Sequence, residues 1–195
     1  IRTGYKSPSM QGGIPARNCR AAPGLAMLGA MKPISDGSLN TRSAYCSTSY
    51  SGIEPPTYGT LSYTPQQIED YMRLATEHGF DIACHAIGDE ANTIVLNAAA
   101  ATHAHGSIEH AQMLKPVDIP RFAELGLTAS IQPQHAMDDR DVITRFWANP
   151  AGIPYPFKAL HDAGACCAWV PMRCGPLDVA GHFRRRVRRP RAPIA

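Results

Sequence analysis

Several features that would place this 195-residue chain in a common class are missing from its sequence. It has no run of 18 apolar residues, which argues against a membrane-spanning helix. No basic and then apolar leader opens the chain, so no secretory signal is expected. The six cysteines form no CxxC pair, and Cys166 and Cys167 are adjacent, which suits neither a zinc knuckle nor an ordinary disulfide. We therefore expect reduced thiols and a cytoplasmic protein without membrane attachment.

Positive charge is scarce outside one end of the chain. Residues 173–195 contain seven arginines and a single acidic residue, Asp178, so the other residues together carry a slight negative charge although the net charge is +3. The residues outside this basic tail also lack aromatic side chains interleaved with basic ones, so specific nucleic-acid binding is not expected. A non-catalytic interaction protein, or a nonspecific nucleic-acid binder that uses the basic tail, is the alternative to an enzyme, because clustered arginines bind phosphates in a salt-dependent manner.

The chain divides into three parts. Residues 1–28 have scattered glycines and prolines and are predicted to be irregular. Residues 29–170 form the folded domain. Residues 171–195 are rich in arginine and proline, show no helical or strand periodicity, and are predicted to be disordered.

Helical and strand patterns alternate within the domain. Thr64 and Gln67 form a capping box around Pro65, which predicts a helix ending near Gly79. Such alternation is typical of a parallel sheet, either an open doubly wound sheet or part of an eight-stranded barrel. No GxGxxG follows a strand, so a dinucleotide fold has no positive support. Strands are predicted at 30–35, 80–84, 107–109, 127–132 and 165–170, and later helices at 89–102, 116–125 and 155–163.

Histidines end two successive predicted strands. His85 and His110 should converge, because the carboxyl ends of parallel strands meet at one edge of the sheet. Neutral imidazoles suit zinc or a similar divalent ion, which activates water for hydrolysis. The alternative is that both histidines are hydrogen-bonded structural residues. The other polar residues at strand ends are Lys32, Asp36, Asp89, Gln112, Gln132 and His135.

A second histidine pair has a more familiar spacing. His103 and His105 form an HxH motif, which is common in metal sites. The pair follows an alanine-rich helix and precedes Gly106, so it is predicted to lie in a connecting loop. We do not expect it to bind a catalytic metal.

Four segments together resemble a known enzyme family. They are MKPISDGSLNTRSAY, FDIACHAIGDEAN, GSIEHAQMLKPVDIPRFAELGLTASIQPQHAMDDRD and YPFKALHDAGA, and they cover about residues 25–165. In this order they are similar to the metal-dependent amidohydrolases of family 3, which include N-substituted formamide deformylase-like proteins.

The resemblance implies a fold, a cofactor and a set of site residues. It implies a partial (β/α)₈ TIM-type barrel, about strands 4 to 8, with a divalent metal, usually zinc, that hydrolyses non-peptide C–N bonds of small amide-type molecules. Lys32 resembles the fourth-strand lysine that can bridge two metals, and His85 and His110 resemble the ligands on the fifth and sixth strands. The candidate substrate-binding residues are Asp36, Asp89, Gln112, Gln132 and His135.

The sequence departs from the family in three places. Pro33 follows the candidate lysine and removes a backbone donor from a strand. The first-strand HxH pair has no counterpart, which predicts a fragment lacking the N-terminal part. The expected Gly-Ser-Asp run is replaced by CCAWVPMRCG. Because the codons for residues 169–173, read one base earlier, permit Leu-Gly-Ser-Asp-Ala, we expect a frameshift near residues 165–168 and an inactive chain.

Overall fold

The computed structural model describes residues 29–147 and 150–170. The predictions of an irregular segment at 1–28 and a disordered tail at 171–195 lie outside the described residues, as do Cys19 and Cys174. The four cysteines within the described residues are free thiols.

A four-stranded parallel sheet forms the centre of the fold. Its strands are β1 (Ile82–Ala86), β2 (Gly106–His110), β4 (Thr128–Ile131) and β6 (Cys166–Trp169), in the order β1-β2-β4-β6. The predicted mixed α/β fold with a parallel sheet is confirmed. Two short strands that the sequence did not predict, β3 (Met113–Leu114) and β5 (Ile153–Pro154), pair antiparallel outside this sheet.

The strand predicted at 30–35 is present only as two isolated parallel bridges, Met31 with Ile82 and Ile34 with His85. The backbone N–H of Met31 donates to Asp81, and that of Ser35 donates to His85. Between them Pro33 accepts from His85 but has no N–H to donate. The missing donor explains why the segment follows β1 without forming a continuous strand.

Helix α1 (Pro65–Glu77) begins as predicted. The Thr64 side chain accepts from the backbone N–H of Gln67, and the Gln67 side chain accepts from the N–H of Thr64. Helix α2 (Asp89–Thr102) has the predicted range. Its N-cap is Gly88 and not Asp89, the residue that the sequence suggested for the cap, and the Asp89 side chain bonds elsewhere. In the described residues no helix is long and apolar enough to cross a membrane.

The later helices are shorter than predicted. The helix expected at 116–125 is reduced to α3 (Arg121–Glu124), which begins after Pro120. The excursion after β4 contains two unpredicted helices, α4 (Pro133–Asp138) and α5 (Arg140–Phe146). Helix α6 (Phe157–Asp162) precedes β6.

The two faces of the sheet differ in chemistry. Alternate strand residues such as Ile82, Ile108 and Ala129 are fully buried against α1 and α2 and form the main core. The apolar faces of the helices and of the strands are thus packed against each other. The opposite face carries polar residues, including His85 and Glu109, which are neighbours in the β1–β2 register.

A second apolar cluster lies in the long segments that follow the strands. Leu39, Tyr50, Phe146 and Trp147 are buried there, and the Tyr50 and Trp147 ring centroids are 4.5 Å apart. The N–H of Ser51 donates to the carbonyl of Phe146 at 2.9 Å. These contacts join the segment 37–63 to α5 beyond the carboxyl ends of the strands.

Candidate functional site

His85 and His110 meet at the carboxyl ends of adjacent strands. Their ring centroids are 4.7 Å apart in an edge-on arrangement. His135, in α4, places its ring centroid 5.7 Å from that of His110. Three of the site residues predicted from the sequence are therefore brought together into one imidazole cluster.

Regular strand geometry would have kept the two strand-end histidines apart. The β1–β2 register pairs His85 with Glu109 and Ala86 with His110, so alternation places the two histidines on opposite faces of the sheet. The backbone leaves the strand conformation at this point, with φ of 77° at His110 and 45° at Ala111. Two successive left-handed non-glycine residues are unusual, and they redirect the His110 ring toward His85.

His110 sits in an environment that keeps its ring neutral. Burial, together with the neighbouring charges of His85, His135 and Lys32, lowers the pKa of His110 to about 4 against the raising effect of Glu109. Its Nδ1 atom is buried and has no hydrogen-bond partner within the described residues. At neutral pH the imidazole is therefore uncharged and has the protonation state that metal ligation requires.

His85 is held by the loop that follows the first strand segment. Its Nε2 lies 3.1 Å from the carbonyl oxygen of Gly37 and 3.5 Å from Oδ1 of Asp36. The rotation of this ring is therefore fixed by groups on a different segment of the chain.

Asp36 is almost fully buried beneath this loop. Its carboxylate accepts the backbone N–H groups of Tyr45, Ile87 and Gly88. Burial raises the pKa of Asp36 to about 6, against the lowering effect of these three hydrogen bonds. The carboxylate joins the loop at 37–45 to the end of β1, beside His85, and both its oxygens are used by the backbone.

Lys32 lies on the same side of the sheet as the imidazoles. Lys32 and Ile34 are exposed, whereas the alternate residues Pro33 and Ser35 are buried. Ile34 bridges to His85, which places this exposed row next to the imidazole cluster. The candidate lysine is therefore accessible from the open face of the sheet.

The two glutamines predicted as site residues are buried at the strand ends. The side-chain oxygens of Gln112 and Gln132 have no hydrogen-bond partner within the described residues. A buried amide oxygen without a donor costs about 1–3 kcal/mol. A bound molecule with N–H donors could satisfy these two oxygens.

Asp89 and the second histidine pair are engaged elsewhere. The Asp89 carboxylate accepts the N–H and the hydroxyl of Ser47. His103 is the left-handed C-cap of α2 (φ 53°), and the carbonyl of His105 accepts the N–H of Ile82. Both histidines are exposed on the helix-to-strand turn that precedes β2, at the amino end of the sheet.

One feature of the site was missed by sequence reasoning. The Glu109 carboxylate accepts the hydroxyls of Ser107 (2.6 Å) and Ser130 (2.7 Å), and Glu109 is the register neighbour of His85. The alternation of Ser107 and Glu109 along β2 was the available signal, because strand residues two apart share a face.

The donor set fits a metal ion only in part. Residues 29–147 and 150–170 contain no group of three or more His, Cys, Asp or Glu side chains placed to hold one. The paired rings of His85 and His110, with the buried and unpartnered Nδ1 of His110, fit two ligands of such a centre. The described part of the chain therefore supplies a portion of a metal site.

Comparison with known proteins identifies the family that this chain resembles. The model of the amidohydrolase family matches residues 15–170. Protein LONG AFTER FAR-RED 3 of Arabidopsis thaliana is 33% identical over 150 residues, which are 72% of this chain and 26% of that protein.

Two solved structures share the fold. An uncharacterized metal-dependent hydrolase from Pyrococcus horikoshii OT3 is 29% identical with a TM-score of 0.68, over 74% of this chain and 30% of that one. An uncharacterized metal-dependent hydrolase from Pyrococcus furiosus is 26% identical with a TM-score of 0.64, over 74% of this chain and 31% of that one. The chain thus spans less than a third of the length of these relatives. On the match of residues 15–170, the chain belongs to the amidohydrolase family.

Proposed function

We propose that this chain carries part of the active site of a metal-dependent hydrolase that cleaves non-peptide carbon–nitrogen bonds in small amide-type molecules. We further propose that its sheet is part of a (β/α)₈ barrel, and that the protein is of the N-substituted formamide deformylase-like type. The observation that carries the proposal is the convergence of His85 and His110, 4.7 Å apart at adjacent strand ends. Membership of the amidohydrolase family and the likeness to two structures titled metal-dependent hydrolases support it.

Each residue of the cluster has a proposed task. His85 and His110 would hold a divalent metal, zinc in our proposal, and Lys32 on the same face would be a third ligand. The bound metal would lower the pKa of a water molecule and polarise the scissile carbonyl. Asp36 fixes the loop carbonyl that contacts His85, so its effect on the metal is indirect.

Substrate contacts are proposed for the polar groups around the imidazoles. The unpartnered oxygens of Gln112 and Gln132 would accept N–H groups from an amide, and His135 would border the bound molecule. Asp36 and Asp89 were also predicted to contact substrate. Because their carboxylates already accept backbone or serine donors, we propose that they act by holding the loops.

The chain by itself should have little or no activity. The described residues supply no group of three His, Cys, Asp or Glu side chains placed to hold a metal, and an open water position needs the metal to be held by several protein ligands. The free thiols of the described part support a reducing, cytoplasmic location.

Zinc binding provides the direct test. The chelator-treated chain, without an affinity tag, is dialysed against micromolar zinc, and bound metal is measured by mass spectrometry. His85→Ala and His110→Ala should each weaken zinc binding at least about tenfold. His103→Ala and His105→Ala are the matched controls and should leave it unchanged. Equal zinc binding by all five proteins would contradict the assignment.

Activity is tested separately with an N-substituted formamide and added zinc. We expect no turnover above that of the buffer with zinc. Robust turnover that disappears with chelator would refute the proposed inactivity of the chain while supporting the proposed reaction.

A further inference from the structure

A concave site lies between the loop at 40–53 and α5, and none of its lining residues belongs to the imidazole cluster. A cavity of about 690 Å³ separates the loop at 40–53 from α5. Its walls are held together by the hydrogen bond from the Ser51 N–H to the Phe146 carbonyl and by the burial of the Phe146 ring. Nothing in the proposed hydrolysis uses this cavity.

One arginine lines each wall of the cavity: Arg42 lies on the loop and Arg145 on α5. The guanidinium carbon of Arg42 lies 5.4 Å from the centroid of the Phe146 ring, and that of Arg145 lies 5.1 Å from the same centroid. The two charges are therefore no farther apart than the sum of these distances, which is on the order of one Debye length at physiological salt. The aromatic ring orients both side chains at the cavity.

Neither guanidinium has an ion-pair partner within residues 29–147 and 150–170. Among the described residues, Arg42 and Arg145 form no ion pair and donate no side-chain hydrogen bond. Arg140 on the same helix does pair with Asp141. A ligand of opposite charge would interact favourably with both guanidinium groups. The backbone of Arg42 is also left-handed (φ 57°).

The remaining walls define what else the ligand carries. Asn40 and Ser51 add hydrogen-bonding groups, while Ile53, Val142 and the Phe146 ring form an apolar side. A planar carboxylate matches the fork of a guanidinium, and an apolar substituent would cover the aliphatic wall. No helix of eight or more residues begins at the cavity, so the usual backbone donors for a phosphate are absent from its described walls.

We propose that this cavity binds a small organic carboxylate with an apolar substituent, held between Arg42 and Arg145 over the Phe146 ring. Binding is a property of the chain itself and does not depend on the proposed hydrolase activity. Inorganic phosphate and uncharged aromatic molecules should therefore bind to this cavity more weakly than such a carboxylate.

The test is a calorimetric titration of the full chain at low salt with benzoate, with its uncharged isostere nitrobenzene, with acetate and with inorganic phosphate. Benzoate should bind at least about tenfold more tightly than each of the other three, because only benzoate satisfies both the arginines and the apolar wall. Equal binding of nitrobenzene or of phosphate would overturn the proposal.

Variants identify the residues. Arg42→Gln and Arg145→Gln should each weaken benzoate binding about tenfold, and the double variant should abolish it. Arg73→Gln is the matched control, because it removes one exposed helical charge from α1, which does not line the cavity. The C-terminal arginines are present in every variant, so their contribution is constant.

Folding is monitored by circular dichroism. If a glutamine variant fails to fold, Arg42→Lys and Arg145→Lys keep the charge but lose the planar fork, and they should also weaken benzoate binding. Benzoate binding that is unchanged in the folded variants would refute the site.

Discussion

The amino and carboxyl ends of the parallel strands in this fold differ in both construction and chemistry. At the amino ends, turns of a few residues join helix to strand, as at 103–105 and 125–127. At the carboxyl ends, long segments such as 37–63 and 132–156 return to the next helix, and these ends carry the converged imidazoles and their polar neighbours. Short turns constrain the backbone, whereas long segments allow side chains from different strands to be combined.

The two histidine pairs make the contrast specific. His103 and His105 have the spacing of a metal motif, yet they are exposed on the turn at the amino end of β2. His85 and His110 are 25 positions apart in the sequence and have rings 4.7 Å apart. Proximity in a parallel sheet is set by which strands are neighbours, so motif spacing alone is a poor guide to a site built across strands.

The largest expected effect tests the close packing at the amino end. Gly106 has φ of 133°, and a Cβ atom there would lie 2.0 Å from the carbonyl oxygen of Ile82. Gly106→Ala should therefore lower the free energy of unfolding by about 4 kcal/mol or more, measured by urea denaturation. Gly79→Ala, which has a positive φ but open space around it, should cost only about 1 kcal/mol. Equal costs would show that the two strands do not approach so closely.

An intermediate effect tests the construction of the carboxyl end. Asp36→Ala leaves the buried N–H groups of Tyr45, Ile87 and Gly88 without an acceptor. The free energy of unfolding at neutral pH should fall by about 3 kcal/mol. Asp70→Ala is the matched control, because Asp70 is exposed on α1 and should change stability by less than about 0.5 kcal/mol. A loss below 1 kcal/mol for Asp36→Ala would mean that the loop is held by other contacts.

The smallest expected effect comes from the exposed histidine pair. The double variant His103→Ala, His105→Ala should change the free energy of unfolding by less than about 0.5 kcal/mol, because both side chains face solvent. Its thermal unfolding midpoint should match that of the unmodified chain. A large loss of stability would remove the distinction between the two ends.

Local chemistry made much of the secondary structure predictable. The capping box at Thr64 and Gln67 marked the start of α1 because its hydrogen bonds lie within four residues. The strands at β1, β2, β4 and β6 were placed within about two residues, since short apolar runs between helices have few alternatives. The segment at 30–35 does not form a continuous strand, because Pro33 lacks the N–H that the hydrogen-bond ladder with β1 needs. The presence of a proline in the predicted strand was the sequence signal for this interruption.

The sequence by itself determined the alternation of helices and strands, and with it the end of the sheet at which His85 and His110 lie, because periodicity, caps and stops act over a few residues. Only the tertiary structure decided that the two rings meet. That meeting depends on the left-handed turn at His110 and Ala111, on the loop carbonyl of Gly37 against His85, and on the buried carboxylate of Asp36. The cavity between Arg42 and Arg145 likewise exists only because two segments about a hundred residues apart pack around one phenyl ring. Such contacts join distant segments, and no local pattern encodes them.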